Sequence, residues 1–184
     1  EHQVLFDAQE KTEKDFTPDM FEQQLLDVFH SRSGTDLRDL EAARIPAGAK
    51  KLLKELVLVS KQVVAEAQPE INRPGSGLKE FIPAIFGARV ATRFTERTNV
   101  RLKQTALAPR NPLNAPDTVE RTALEAFADS SYPREKVSSE VTAKSGSLRL
   151  MFPLYTTRKC LDCHGDPKGE LDRTGYPREG LKLG

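Results

Sequence analysis

The sequence predicts an α+β fold, with helices first and a small antiparallel sheet near the carboxyl end. Apolar residues recur every three or four positions in several segments up to about residue 128, which is the period of an amphipathic helix. Further on, two short alternating segments flank the turn sequence at residues 144–146, which is the pattern of a β-hairpin. The 184 residues suffice for one ordinary domain with an extended helical arm.

The first helices are predicted from their start and stop signals. Residues 1–15 are polar and indicate a flexible or partner-docked arm. Thr17 precedes Pro18, so a capping residue is followed by proline at the first helical position, and residues 31–34 end that helix. The next expected features are a second helix, a third helix and a Pro- and Gly-containing break, over residues 36–44, 50–67 and 69–77.

The later elements are predicted in the same way. Pro83 begins another helix, whereas the alternation at residues 100–107 predicts a strand. After a proline-interrupted segment, Asp117 and Glu120 form the capping-box pattern of a helix that ends near residue 128. The two hairpin strands and a tail rich in Gly, Pro and charge are expected over residues 137–143, 147–154 and 166–184.

The composition excludes several classes of protein. Lys and Arg number 28 against 27 Asp and Glu, and both signs are interspersed, so neither a nucleic-acid footprint nor a polybasic membrane patch is visible. Charged and polar residues interrupt the longest apolar stretch, 52–67, which argues against a transmembrane helix. The sequence starts at Glu1 without a signal-peptide core, so we expect a processed or recombinant fragment, with membrane contact only through a removed or absent targeting segment.

The most informative motif is Cys160-Leu161-Asp162-Cys163-His164, the pattern of covalent haem attachment. Two thioethers must reach two vinyl positions on one porphyrin edge, while the next residue turns its imidazole toward the iron. The motif predicts one covalently bound haem c. Because such attachment takes place outside the cytoplasm, it also predicts a periplasmic or otherwise extracytoplasmic location.

Three alternative roles for the two cysteines fit the motif less well. A disulfide or a thioredoxin-like redox pair would not need His164, and the redox pair would normally begin a helix after a buried strand. A zinc site would need a fourth ligand, yet the other histidines are His2 and His30 and the chain has no further cysteine.

The ligand on the far side of the iron is left open by the sequence. Both cysteines are used for attachment, so no thiol remains for the iron. The candidates are water, no ligand, or one of the side chains Met151, Met20, His30 and His2. Met151 is the closest in sequence to the motif, although packing of a sheet residue against the core is the more common role for such a methionine.

Several strings also resemble a known family. They are Phe81-Ile82-Pro83-Ala84, the segment from Arg93 to Thr98, the segment from Lys103 to Asp117, and Cys160 to Gly165. The third of these contains Arg110-Asn111-Pro112, with which the Pro-rich loop begins. Together they resemble monohaem c-type proteins with a PAS-like fold. That family occurs as soluble periplasmic or lumenal proteins and as extracytoplasmic sensor modules of histidine kinases and chemoreceptors.

The resemblance covers roughly residues 50–184 and implies an antiparallel sheet flanked by helices, with the haem against the sheet. It divides the chain into an N-terminal helical arm, 1–47, and a PAS-like c-type haem domain, 48–184. It implies that Cys160 and Cys163 attach the haem and that His164 is the proximal ligand. Arg110 and Asn111 would fix the loop beside the haem or pair with a propionate, an exposed loop charge being the alternative for Arg110.

The chain departs from this family in two places. Some relatives supply a distal cysteine near residues 81–84, where this chain has Phe, Ile, Pro and Ala, so Cys/His ligation is excluded. Relatives usually continue into a closing strand, whereas this sequence stops at Gly184. We therefore expect that strand to be missing, disordered or supplied by a partner.

These observations predict a redox- or small-gas-responsive haem protein of the sensor type, with NO or CO as the gas. The alternative is a small periplasmic electron-transfer cytochrome, and a third is a nitric-oxide-handling enzyme. We expect no enzyme, because aromatic content is low and no general-base histidine lies near the motif. The expected partners are a redox protein or a gas and no nucleic acid, while a homodimer through the Leu- and Val-rich helix remains open.

Overall fold

The computed structural model describes residues 16–73, 81–142 and 146–184, and within them it has five α-helices and one two-stranded antiparallel sheet. The predicted α+β class is confirmed. The chain divides into two units, 1–104 and 105–184. The polar arm at residues 1–15, with His2, lies outside the described residues, as do part of the predicted break and of the hairpin turn. The predicted division into 1–47 and 48–184 stays a prediction.

The first unit contains helices α1 (Pro18–Ser33), α2 (Ala47–Ile71) and α3 (Pro83–Thr98). The predicted start of α1 is confirmed, because the Thr17 hydroxyl accepts a hydrogen bond from the Met20 amide at 3.1 Å. Gly34 ends α1 at a φ of 70°, the left-handed conformation that glycine adopts without steric cost. Pro83 begins α3 as predicted.

The core of the first unit forms where α2 packs against α1 and α3. Val59, Val64 and Ile71 of α2 are fully buried, and they share one face of that helix. Aromatic rings pack against this core in edge-to-face contacts, with the centroids of Phe21 and Phe86 5.4 Å apart. The members of this core cluster are Phe16, Val59, Val63, Val64, Ala67, Ile71, Phe81 and Val90.

The helix predicted over residues 36–44 is wrong. Only a short 3₁₀-helix forms, over Leu37–Asp39. The Asp36 carboxylate accepts from the Arg38 amide at 2.9 Å, and the Asp39 carboxylate accepts from the Ala42 amide at 3.2 Å. These local bonds satisfy backbone donors outside a helix, and aspartate is a frequent residue at such turns for this reason.

The strand predicted over residues 100–107 is also wrong. The amides of Val100 and Leu102 donate to the hydroxyls of Thr98 and Thr95, at 3.2 and 3.4 Å. The segment therefore runs back along the end of α3 and forms no ladder with another strand. An alternating pattern alone does not distinguish these two arrangements.

The third helix is longer than predicted at both ends, because α2 continues through Pro69 to Ile71. A proline in a helix removes one hydrogen bond and disfavours the conformation around it. Here Ala67 and Ile71 flank Pro69 and are both fully buried, so packing of the last turn outweighs the local cost. The predicted break begins only after Ile71.

The second unit contains α4 (Thr118–Ala128), β1 (Ser138–Thr142), β2 (Ser147–Met151) and α5 (Arg158–His164). The capping box that starts α4 is confirmed, with reciprocal bonds of 2.9 Å between Asp117 and Glu120. The hairpin is confirmed as well, with Val141 opposite Leu148 and Ser138 opposite Met151. Its second strand ends at Met151, three residues earlier than predicted. The described sheet has these two strands, and the PAS-like architecture stays a prediction.

Apolar side chains of the second unit are mostly exposed. Among its described residues, Ala123 and Pro153 are the buried apolar side chains. On one face of the hairpin Val141, Leu148 and Leu150 are between 62% and 65% exposed. Folded domains expose single apolar residues routinely, but they bury more apolar side chains than this unit does. None of the described helices is long and apolar enough to cross a membrane.

Candidate haem-attachment site

The two cysteines lie on the short helix α5, three residues apart and therefore on one side of it. Thr157 precedes the helix with extended backbone, and its hydroxyl oxygen is 3.2 Å from the Cys160 sulfur. The Thr157 amide also donates to that sulfur, at 3.4 Å. Both cysteines are free thiols and half-buried. The helix thus carries two thiols that are not joined in a disulfide and that are free to form thioether bonds.

Gly165 ends α5 directly after the histidine, and close packing requires glycine there. Its amide donates to the Leu161 carbonyl at 2.9 Å, and the residue is buried. A Cβ at this position would lie 2.6 Å from the Leu161 carbonyl oxygen and 2.9 Å from the Leu161 Cβ. Any other residue would have to shift the backbone that carries His164.

The His164 imidazole is oriented by a carboxylate. Its Nδ1 is 2.8 Å from Oε2 of Glu179, and 40% of the side chain is exposed. A carboxylate accepts a hydrogen bond, so Nδ1 carries a proton and donates it, and Nε2 is the nitrogen left for a metal. A neutral imidazole with a free Nε2 is the form that binds a metal.

Arg110 joins the loop before α4 to the haem-motif helix and the tail. Its Nε and Nη2 donate to the two oxygens of Glu179, and its Nη1 donates to Asp172 at 2.6 Å. Nη2 also donates to the Cys163 carbonyl at 2.7 Å and the Pro177 carbonyl at 3.4 Å. All the guanidinium nitrogens are therefore bonded within the protein, which favours the loop-fixing role over a propionate contact.

Asp172 is the buried anchor of this network, with a side chain that is 0% exposed. Its Oδ2 receives Arg110, and its Oδ1 accepts from the amide and hydroxyl of Thr174, at 2.7 and 2.6 Å, and from the Tyr176 amide at 3.2 Å. The Arg110 guanidinium also lies 5.7 Å from the centroid of the Tyr176 ring. A buried charge is tolerated when it is paired and hydrogen-bonded in this way.

The charges of the network shift the pKa values of its members. Hydrogen bonds from Arg110 and then His164 lower the pKa of Glu179 to about 2. Burial raises the pKa of Asp172, but hydrogen bonds from Thr174 and Arg110 outweigh it and hold that pKa well below the usual range. Burial, with the charge of Asp172, raises the pKa of the Cys163 thiol. That direction differs from the lowered thiol pKa of redox-active cysteine pairs.

The other candidate residues belong to several different elements. Asn111 caps a 3₁₀-helix at Pro112–Asn114, where its side chain accepts from the Leu113 amide at 3.0 Å. Met151 is half-buried at the end of the hairpin. Within the described residues, no hydrogen bond joins either side chain to His164. Met20 and His30 belong to α1 in the first unit. The roles predicted for all these residues stay predictions.

Sequence reasoning missed Asp172 and Glu179. Glu179 follows His164 by fifteen residues in an irregular tail, a separation without a periodic signal. Asp172 has a weak signal, because an aspartate two residues before a threonine and three before a glycine is typical of a hydrogen-bonded turn.

The described residues fit a covalently attached haem. Two free thiols precede an imidazole whose Nε2 is available, and the unit that contains them exposes apolar side chains that a large apolar group would help to cover. Within the described parts of the chain, no group of three or more His, Cys, Asp or Glu side chains could hold a metal ion. A haem iron needs only axial ligands from the chain, since the porphyrin supplies the others.

Two free thiols on α5, followed directly by a histidine whose Nδ1 is held by a carboxylate, fit the class of c-type haem proteins. Comparison with known families agrees: the model of the Tll0287-like family matches residues 37–184. The chain therefore belongs to the Tll0287-like family, a family of monohaem c-type cytochromes, and this membership implies binding of haem c. No curated protein and no solved structure matches the chain.

Proposed function

We propose that this protein is a redox- or gas-responsive monohaem c-type cytochrome of the sensor type, that it acts outside the cytoplasm and that it is not an enzyme. The observation that supports the haem role most directly is the 2.8 Å contact between His164 Nδ1 and Glu179. It holds the ring through Nδ1, so that Nε2 is the nitrogen left to bind the iron. The resemblance found in the sequence supports a PAS-like arrangement of the haem domain.

In this proposal each part of the site has a separate task. Cys160 and Cys163 hold the haem by thioether bonds, and Gly165 lets the chain turn immediately after His164. Glu179 and Arg110 keep the imidazole in one orientation. The haem, when bound, supplies an iron that changes oxidation state or takes up a small gas.

The sensor role follows from the ligands that remain. With both cysteines used for attachment, the chain has Met20, Met151, His2 and His30 as further candidates for the iron. A weak or absent sixth ligand lets a small molecule reach the iron, whereas two strong ligands favour electron transfer alone.

Absorption spectra of the ferric and the dithionite-reduced protein, with and without CO, test this proposal. We expect a ferrous Soret band that shifts when CO is added. Sharp six-coordinate bands that do not respond to CO would contradict gas sensing and favour the periplasmic electron carrier. Met151→Ala, with Met20→Ala as the matched control, tests the distal ligand: altered spectra in Met151→Ala alone would assign Met151 to the iron.

A further inference from the structure

The partner of His164 is an anion, and this determines more than the orientation of the ring. A backbone carbonyl would hold Nδ1–H without contributing a full charge. Glu179 contributes a carboxylate at 2.8 Å, and two nitrogens of the Arg110 guanidinium donate to the two oxygens of that carboxylate. A negatively charged acceptor pulls the Nδ1 proton toward itself and makes the imidazole a more basic ligand.

Glu179 is also held in place by the protein. Arg110 donates from two nitrogens to its two oxygens, and Arg110 is itself fixed by the fully buried carboxylate of Asp172. A second bond joins the tail to α5, because the Leu181 amide donates to the His164 carbonyl at 2.8 Å. Glu179 therefore has little freedom to move away from Nδ1 when the charge at the iron changes.

We propose that Glu179, held by Arg110, sets the reduction potential of the haem by placing negative charge on His164. This inference rests on the haem function proposed above. A more basic imidazole stabilises ferric iron relative to ferrous iron, so Glu179 keeps the potential low. Arg110 lies against the same carboxylate and moderates the effect. Glu179 is a positioning residue, since it acts on the iron through His164 and does not touch it.

Glu179→Gln tests the proposal, because glutamine keeps the shape and an acceptor oxygen but removes the charge. The matched control is Glu170→Gln, which removes the same charge from an exposed position of the same tail. The measurement is a spectroelectrochemical titration of wild type and both variants, each with its haem content determined by intact mass.

The expected result is a rise in the potential of Glu179→Gln relative to Glu170→Gln. At a fixed applied potential the ferrous-to-ferric ratio should increase about tenfold, which corresponds to about 59 mV for a one-electron couple. Equal potentials in the two fully loaded variants would overturn the proposal. If wild type carries no haem, it is the proposed function that fails, so the two failures are distinguishable.

Glu179→Asp decides the matter if Glu179→Gln does not retain haem. Aspartate keeps the charge, but its side chain is one methylene group shorter, so the carboxylate lies farther from Nδ1. The reduction potential of the Glu179→Asp variant should therefore also lie above that of wild type. An aspartate variant with full haem content and an unchanged potential would overturn the proposal.

Discussion

Arg110 is the residue on which most of the site depends. It connects the loop before α4 with the tail through Asp172 and Glu179, and with α5 through the Cys163 carbonyl. Arginine suits this position because its planar fork donates in several directions at once, which lysine cannot do. The family resemblance puts Arg110 beside the haem, but its partners follow only from the three-dimensional arrangement.

Gly165 is the second sensitive residue. We predict that Gly165→Ala destabilises the protein by about 1–3 kcal/mol, because the new methyl group would overlap the Leu161 carbonyl. Denaturant unfolding measures the change. Gly48→Ala is the control, since a Cβ there meets nothing within 4 Å and alanine suits a helix. Equal stability of Gly165→Ala and wild type would show that the turn after His164 is not tightly packed.

We predict that the ionised Asp172 stabilises the protein at neutral pH and that this stabilisation is lost in acid. Folding lowers the pKa of Asp172 from 3.8. Its contribution to the free energy of unfolding is therefore complete above a pH of about 4, and it is lost as the pH falls through the pKa of the folded protein. Asp172→Asn should unfold about 1–3 kcal/mol more easily at pH 6, because its amide would face the donor of Arg110. It should also lose less stability than wild type between pH 5 and pH 3. Parallel pH profiles of unfolding free energy would contradict this assignment.

At the scale of elements, the sequence predicts correctly the helix starts that depend only on capping residues and prolines next to them in the chain. The starts of α1, α3 and α4 follow from Thr17-Pro18, Pro83 and the Asp117 capping box. Predictions from the sequence fail where distant contacts decide. Burial of Ile71 carries α2 past Pro69, and side-chain bonds replace the predicted strand after α3. The carboxylates of the site come from an irregular tail, where no periodicity exists to reveal them.

The packing of α2 against α3 should depend on its apolar core and little on its surface ion pairs. Ile71→Ala leaves a cavity in a fully buried position and should cost about 2–5 kcal/mol. Arg93→Ala removes a pair with Glu66 in which the side chains are 37% and 55% exposed, and should cost at most about 1 kcal/mol. Chemical denaturation of both variants compares them. A larger loss in Arg93→Ala would mean that the ion pairs hold these helices together.

At the scale of the whole molecule, the two units differ in how they are stabilised. The first buries a continuous cluster of apolar side chains, whereas the described part of the second buries few. A prosthetic group that binds only the folded state adds its binding free energy to stability. We infer that the second unit needs its haem to reach full stability and that the first does not.

Hydrogen exchange tests this difference. A Cys160→Ala and Cys163→Ala double variant lacks the attachment sites, and its amides between residues 105 and 184 should exchange faster than those of the haem-loaded protein. Amides of the buried face of α2 serve as the internal control and should be unchanged. Equal protection of the second unit in both proteins would show that haem adds nothing to its stability.

Covalent haem attachment is tested most directly by the intact mass of the protein, matured in a host that assembles c-type cytochromes and measured under denaturing conditions. We predict a mass increase of one haem that is absent from the double cysteine variant, because the bonds to Cys160 and Cys163 are covalent. An unmodified wild-type mass from cells that load a control cytochrome would contradict the assignment of this chain as a haem c protein.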